Sequence, residues 1–316
     1  MTDFRDYGDG IFAFDSGYVR PLLAAIHMDV ERGRVAFIDT GNNQSLLVAL
    51  EVLKRLGLSS DAVDWVALTH VHLDHAGGAG SFMRAFPKAS LAVHPRGARH
   101  MADPEKLLAG VAAVYGAEYV ERVYGEILPI PEHRIVALED EESFFLAGRK
   151  FRCLDTPGHA RHHMCIVDEA TGGVFTGDTF GLSYRETDVA GQPFLFPTTT
   201  PTQFDPDALE RSIRRIVCLA PPAVYLTHYG RLADPGLYVD DLLRRMHAQI
   251  ALTMAQDGDG TGQHDALRAA LEHFLLSELR DHGCTMDPAA IRAIWETDIE
   301  LNAQGLLYWR NGLVKR

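Results

Sequence analysis

The chain has 316 residues, 47% apolar and 23% charged, a balance that builds a packed core and excludes both a disordered polymer and a disulfide-stapled mini-domain. Thirty Lys and Arg stand against forty-three Asp and Glu, a net charge of −13, so the long-range field repels phosphate backbones and anionic lipid and argues against nucleic acid or a membrane surface as partner. The opening MTDFRDYGDGIFAFDSG lacks the basic-then-apolar order of a secretory signal, and Cys153, Cys165, Cys218 and Cys284 are widely dispersed; the expectation is a cytoplasmic chain with reduced thiols.

Up to about residue 235, short β-rich runs alternate with glycine-rich turns. Val35–Asp39, Trp65–Thr69, Ser90–Val93, Arg149–Leu154, Met164–Val167, Gly173–Phe175 and Ala223–Leu226 read as strands, while Gln44–Leu56 and Asp207–Leu219 carry amphipathic helical spacing. This is an α/β pattern with two layers of sheet, expected to form a catalytic domain over residues 1–235. Residues 236–316 read as a helical extension: Tyr238–Met254 and His264–Leu279 have apolar residues at three- and four-residue spacing around a polar Gln256–Gln263 linker, and Asp287-Pro288 opens a last helix running through Tyr308 and Trp309. Its apolar faces predict burial against the pocket or in a homodimer.

The densest chemistry is T-H-V-H-L-D-H-A-G-G, Thr69 to Gly78, directly after the apolar run Val66–Leu68. His70 and His72 project to one side if extended backbone persists, and a turn brings Asp74 and His75 round. Imidazole nitrogen with carboxylate oxygen suits Zn or Fe and poorly suits a calcium cage. Three more candidates follow strand-like runs: His159 in T-P-G-H, Asp178 in T-G-D-T and His228 in L-T-H-Y-G. Taken singly, each is only moderately informative, and a lone His228 is more often structural than a ligand. Because strand-end loops on one edge of an α/β scaffold converge, a shared metal site is the expectation for all of them.

His70-x-His72-x-Asp74-His75 followed by His159, Asp178 and His228 resembles the complete ligand set of the metallo-β-lactamase-fold hydrolases, and VAFIDTG, Val35–Gly41, resembles that family's early strand and turn. The resemblance spans roughly residues 10–235. It implies an αββα four-layer sandwich carrying two divalent ions. His70, His72 and His159 match the ligands of the first, Asp74, His75 and His228 those of the second, and Asp178 the bridging carboxylate. Zn is the first choice of metal, with Fe or Mn as alternatives. A metal-bridging hydroxide would attack a small-molecule ester, lactone or thioester, Asp74 orienting it or passing a proton to the leaving group.

Around this set, Asp39, Thr69, His163 and Thr227 are candidates to orient the ligands, and Tyr184 and Tyr229 are candidate hydrogen-bond donors to substrate. The segment between His94 and Pro129, with Tyr115, Tyr119 and Tyr124, and the loop after Asp178 are expected to wall an apolar pocket, Arg185 serving a substrate carboxylate. Quorum-signal lactonases of the family carry a tyrosine three residues after the bridging aspartate, where this chain has Gly181. A glyoxalase-II-like thioesterase, a phosphodiesterase and a metal-stabilised binding module without catalysis are the alternatives.

Overall fold

A computed structural model describes residues 3–256 and 260–314. The chain divides into two compact units, the first comprising Met1–Asp155, His162–Gly177 and Pro221–Asp234 and the second Thr156–Arg161, Asp178–Ala220 and Pro235–Arg316. The second unit is therefore not confined to the residues after 235.

Both sheets lie in the first unit. β1 (Phe4–Asp6), β2 (Ile11–Asp15), β3 (Ala25–Glu31), β4 (Arg34–Ile38), β5 (Val63–Ala67), β6 (Ser90–Val93) and β7 (Ile135–Ala137) make a seven-stranded sheet in that spatial order. Its first four strands are antiparallel and β4 to β7 run parallel. β8 (Ser143–Leu146), β9 (Arg149–Asp155), β10 (Met164–Asp168), β11 (Val174–Gly177), β12 (Ala223–Leu226) and β13 (Gly230–Ala233) form the second sheet, in which only β11 and β12 are parallel.

The two-residue period of a strand sorts the core. Val35 and Phe37 of β4, Val66 of β5 and Leu91 and Val93 of β6 pack outward, together with Ala49, Val52 and Leu53 of α1 (Ser45–Arg55). On the same cluster, beyond the short α2 (Leu73–Ala76), sit Phe82 and Met83 of α3 (Ala79–Ala85) and Met101 of α4 (Pro95–Ala102). Their alternates, Ala36, Ile38, Ala67 and Ala92, face inward against Phe144, Phe151, Ile166 and Phe175 of the second sheet. Small residues on one inner face admit the large aromatics of the other, and all of them are buried.

The segment between His94 and Pro129 is helical rather than a loop. After α4 come α5 (Glu105–Tyr115) and α6 (Ala117–Tyr124), whose Val120 and Tyr124 pack on Tyr18 and Leu73.

In the second unit, Asp205 caps α7 (Pro206–Cys218), accepting from the Ala208 amide at 3.0 Å, with Pro206 at the first helical position. Three helices follow: α8 (Val239–Met254), α9 (Gly260–Asp281) and α10 (Pro288–Val314). The expected linker Gln256–Gln263 is shorter than its composition suggests, because α9 already begins at Gly260; residues 257–259 lie outside the described residues. Arg244 and Arg245 of α8 bond Glu278 of α9 at 2.6 and 2.8 Å, and Asn302 of α10 accepts from the Thr199 amide at 2.8 Å. No described helix is long and apolar enough to cross a membrane.

Candidate metal centre

Strand direction explains the placement of the first unit's candidates. β4 and β5 are parallel, so their C-terminal ends fall on one edge, and the Asp39 amide donates to the Ala67 carbonyl at 2.8 Å. The chain then leaves β5 through Thr69 and His70. His72 has extended backbone (φ −64°, ψ 148°) and opens α2, which carries Asp74 and His75 on a helical turn. Gly78 follows where the chain passes against its neighbour: a Cβ there would lie 2.6 Å from the Asn42 carbonyl oxygen. From the other sheet, β12 delivers Thr227 and His228, and the Ala25 amide donates to the Thr227 carbonyl at 2.8 Å.

Asp74, His75 and His228 each offer a ligand atom, and these atoms lie within 4.8 Å of one another. Asp74 Oδ2 is 3.6 Å from His75 Nε2 and 3.3 Å from His228 Nε2. The opposite nitrogens are tethered. His75 Nδ1 lies 2.8 Å from Asp39 Oδ2, and His228 Nδ1 lies 2.7 Å from the Leu23 carbonyl oxygen. Each acceptor requires the proton on Nδ1, which leaves Nε2 as a lone-pair donor turned to the cluster, the tautomer a metal ligand needs. His70 Nε2 and His72 Nδ1 approach to 2.9 Å, with the His70 Nδ1 3.2 Å from the Thr69 hydroxyl.

Asp39 organises this half of the site. It is fully buried and accepts from the Thr69 amide (2.8 Å), the Thr69 hydroxyl (2.9 and 3.0 Å), His75 Nδ1 and the Thr227 hydroxyl (2.9 Å). Its backbone is left-handed, φ 62°, a conformation that Asp tolerates better than most side chains. Thus Asp39 reaches His75 and Thr69 reaches His70 as expected, whereas the Thr227 hydroxyl is bonded to Asp39 rather than to a candidate ligand. His163 stacks on His70 with ring centroids 5.0 Å apart.

In the second unit, His159 and Asp178 come together, His159 Nε2 lying 3.4 Å from Asp178 Oδ2. The Pro157-Gly158 turn before His159 is forced: Gly158 has φ 133° and a Cβ would stand 2.3 Å from the Leu209 backbone on α7. Thr200, which sequence reasoning did not single out, places its hydroxyl 2.9 Å from His159 Nδ1.

The remaining candidates lie in other settings. Tyr184 is buried, its hydroxyl donating to the Asp298 carboxylate (3.1 Å to each oxygen) and its ring 4.6 Å from that of Trp295. Arg185 is turned into its own loop, donating to the Ser183 carbonyl at 3.0 and 2.8 Å and pairing with Asp188 at 3.2 Å; intramolecular partners hold the guanidinium assigned to substrate. Tyr229 is half-buried on the turn after β12. Of the α5–α6 tyrosines, Tyr124 hydrogen-bonds Tyr18 across 2.6 Å and Tyr119 packs on the same cluster; the Tyr115 side chain lies outside the described residues.

Elsewhere in the first unit a second buried polar group escaped the sequence reading. Arg149 binds Asp168 through two bonds of 2.9 and 2.5 Å and stands 3.4 Å from Asp29. Burial pushes the Asp29 carboxyl well above its ordinary range, outweighing the guanidinium already committed to Asp168.

A family model described as the metallo-β-lactamase superfamily matches residues 29–228. A metallo-β-lactamase fold-containing protein of Sulfurisphaera tokodaii is 29% identical over 269 residues, 83% of this chain and 94% of its own. The solved structure of that archaeal protein superposes with a TM-score of 0.66 over 94% of this chain and 98% of that one, at 24% identity. A metallo-β-lactamase family protein of Thermus thermophilus gives 0.67 at 21% identity over 98% and 95% of the two chains. These structures show the αββα sandwich fold. A hydroxyacylglutathione hydrolase of Xanthomonas euvesicatoria is 30% identical over 61% of this chain and 55% of its own length. An atrochrysone carboxyl ACP thioesterase of Aspergillus fumigatus is 29% identical over 45% and 35%.

Proposed function

The chain belongs to the metallo-β-lactamase superfamily, and from that premise we propose that it is a metal-dependent hydrolase of a small ester or lactone. The observation that carries this reading is the cluster of Asp74, His75 and His228, with both imidazoles tethered through Nδ1 so that Nε2 is the ligating atom. The donor set of borderline nitrogen and hard oxygen fits a divalent transition metal. Zn is the first choice and Fe or Mn the alternatives.

In this proposal His70, His72 and His159 would hold one ion and Asp74, His75 and His228 a second, with Asp178 as the carboxylate that would serve both. When bound, two such ions supply Lewis acidity toward a carbonyl oxygen and a water of lowered pKa. The chain's own residues do the rest. Asp39 fixes the His75 tautomer, and Asp74, a quarter exposed, is accessible enough to orient the attacking water and shuttle its proton to the leaving group. No serine or cysteine nucleophile is needed. The cytoplasm as location and a homodimer through the helical extension belong to the same proposal.

A thioester substrate is the second reading, favoured by the thioesterase and the hydroxyacylglutathione hydrolase among the relatives. The test is metal analysis by mass spectrometry followed by a parallel screen of lactones, esters, thioesters, lactams and phosphodiesters, with Asp178→Ala controlling for contaminants. The proposal expects about two ions per chain, because seven ligands are more than one tetrahedral ion can use, and turnover of carbonyl substrates. Full activity with one ion per chain would refute the binuclear centre; cleavage of phosphodiesters alone would refute the carbonyl assignment.

A further inference from the structure

His159 stands on a turn that one loop of the second unit fastens at three points. The Gly158 carbonyl accepts from the Asp205 amide at 2.8 Å, the Arg161 amide donates to Gln203 Oε1 at 2.8 Å, and the Thr200 hydroxyl meets the edge of the imidazole, 2.9 Å from Nδ1 and 3.1 Å from Nε2. In a neutral ring one nitrogen carries a proton and the other a lone pair, and a hydroxyl can serve either. The contact therefore fixes where the ring sits without depending on its tautomer. Within this loop, residues 197–205, Thr202 is left-handed at φ 78°, a conformation that a β-branched residue holds only where its surroundings impose it.

The helical extension supplies that constraint. Asn302 of α10 is fully buried and clasps the loop on both sides of Thr198: Oδ1 accepts from the Thr199 amide at 2.8 Å, and Nδ2 donates to the Pro197 carbonyl at 3.0 Å. The Thr199 hydroxyl in turn donates to the Asn302 carbonyl at 3.2 Å. Three residues on, Gly305 lets the helix lie directly against the loop, since a Cβ there would stand 1.6 Å from the Thr199 carbonyl oxygen. Thr200 is the next residue, so contacts run unbroken from α10 through the Thr199 peptide to the His159 ring. A buried carboxamide whose donor and acceptor both serve backbone groups is costly to displace.

We propose that α10 positions His159 for its metal ion through Asn302, Gly305 and Thr200, so that the helical extension sets the affinity of one ion of the pair. This rests on the assignment of His159 as a ligand above. A ligand held in place before the ion arrives loses little freedom on binding. Asn302, Gly305 and Thr200 are positioning residues, and none is asked to touch the ion or the substrate.

The experiment measures zinc affinity by chelator competition, and the visible spectrum of the cobalt-substituted protein, for the parent, Thr200→Val, Thr200→Ser, Gly305→Ala and His159→Ala. Thr200→Val keeps the shape and removes the hydroxyl; it should weaken one ion about 10- to 100-fold, leave the other within about 3-fold and alter the cobalt bands, the usual effect of losing a partner behind a ligating histidine. Thr200→Ser should restore the parent values, and both variants should melt alike in chelator. Gly305→Ala is favourable in an isolated helix but must part α10 from the loop by more than an ångström, and should weaken the same ion. Zinc should also slow amide exchange at Thr199 in the parent and not in His159→Ala, because coupling between two sites is reciprocal; this measurement tests the α10 link even if Gly305→Ala does not fold. Parent-like affinity in Thr200→Val, equal losses at both ions, or Thr199 exchange indifferent to zinc would overturn the positioning role and leave the ligand assignment standing, provided His159→Ala loses an ion. Parent-like affinity for both ions in His159→Ala would overturn the ligand assignment and this inference with it.

Discussion

Replacing Asp39 by Asn tests how the centre is organised with the smallest change of shape. The left-handed backbone at φ 62° suits Asn as well as Asp, so the loop is not strained by the substitution. Oδ1 keeps its bonds from the Thr69 amide and hydroxyl, but the atom in place of Oδ2 becomes an amide that donates. Oδ2 is where His75 Nδ1, the Thr69 hydroxyl and the Thr227 hydroxyl arrive at 2.8, 2.9 and 2.9 Å. Both hydroxyls can rotate to accept; the imidazole cannot rotate away. It escapes the donor–donor clash by moving its proton to Nε2, the atom 3.6 Å from Asp74, and a protonated Nε2 cannot ligate.

The loss of charge-assisted bonds inside a fully buried site costs about 2–4 kcal/mol of stability, each such bond being worth ~1.5–3 kcal/mol before the hydroxyls recover part. Metal affinity should fall ~10- to 100-fold, the usual effect of removing a partner behind a ligating histidine. Chelator competition reads the affinity, and thermal melting in chelator reads the metal-free stability. An Asn variant with the parent's affinity and melting curve would refute the claim that Asp39 sets the His75 tautomer.

On the proposed binuclear centre, Asp178→Ala should leave a folded protein whose kcat is reduced about 100-fold or more, since losing a bridging carboxylate acts on the chemical step; parent-like turnover at parent-like metal content would refute the proposed bridge. His27 is fully buried against the rings of Phe175 and Tyr225 at 5.5 and 5.7 Å, and burial pulls its imidazole down to about 4 from the ordinary 6.5, partly opposed by Asp39. The unfolded chain takes up that proton first, so the stability given by the neutral ring is complete above pH ~6.5 and is lost, by about 3 kcal/mol, as pH falls toward 4. His27→Phe should flatten the melting profile across this window, and an unchanged slope would rule out His27 as its source. Truncation before Gly236 removes Asp298 from Tyr184, Asn302 from Thr199 and Arg245 from the Leu195 carbonyl; the expected result is lower solubility or altered mass in light scattering, against which a soluble truncation with parent mass and kinetics would count.

The histidine cluster was legible because it is compressed into one turn of chain, and the strands because their apolar runs and turn residues are properties of consecutive positions. The resemblance carried by His159, Asp178 and His228 was legible for the same reason, each being a short motif after a strand. Asp39, Thr69 and Thr227 were named as orienting residues, yet nothing in the sequence says that one carboxylate gathers all three donors' bonds, two of them arriving from residues 30 and 188 positions away. The N-terminal strands β1 to β3 and the short β7, β8 and β13 have too few residues, or too mixed a pattern, to show a period. The tyrosine-bearing segment before Pro129 reads as a loop because α5 and α6 are short helices split at Gly116, whose left-handed φ of 86° interrupts the spacing a longer helix would have displayed.

Composition and local order thus determined the α/β class, the donor types of the candidate ligands and the order in which they follow the strands. Tertiary structure alone decided that Leu23, 205 positions from His228, holds its ring, that Tyr18 meets Tyr124 across 106 positions, and that Tyr184 answers to Asp298. Periodicity records which face of an element is buried; which distant donor meets which acceptor depends on how the elements pack, and no local pattern encodes that.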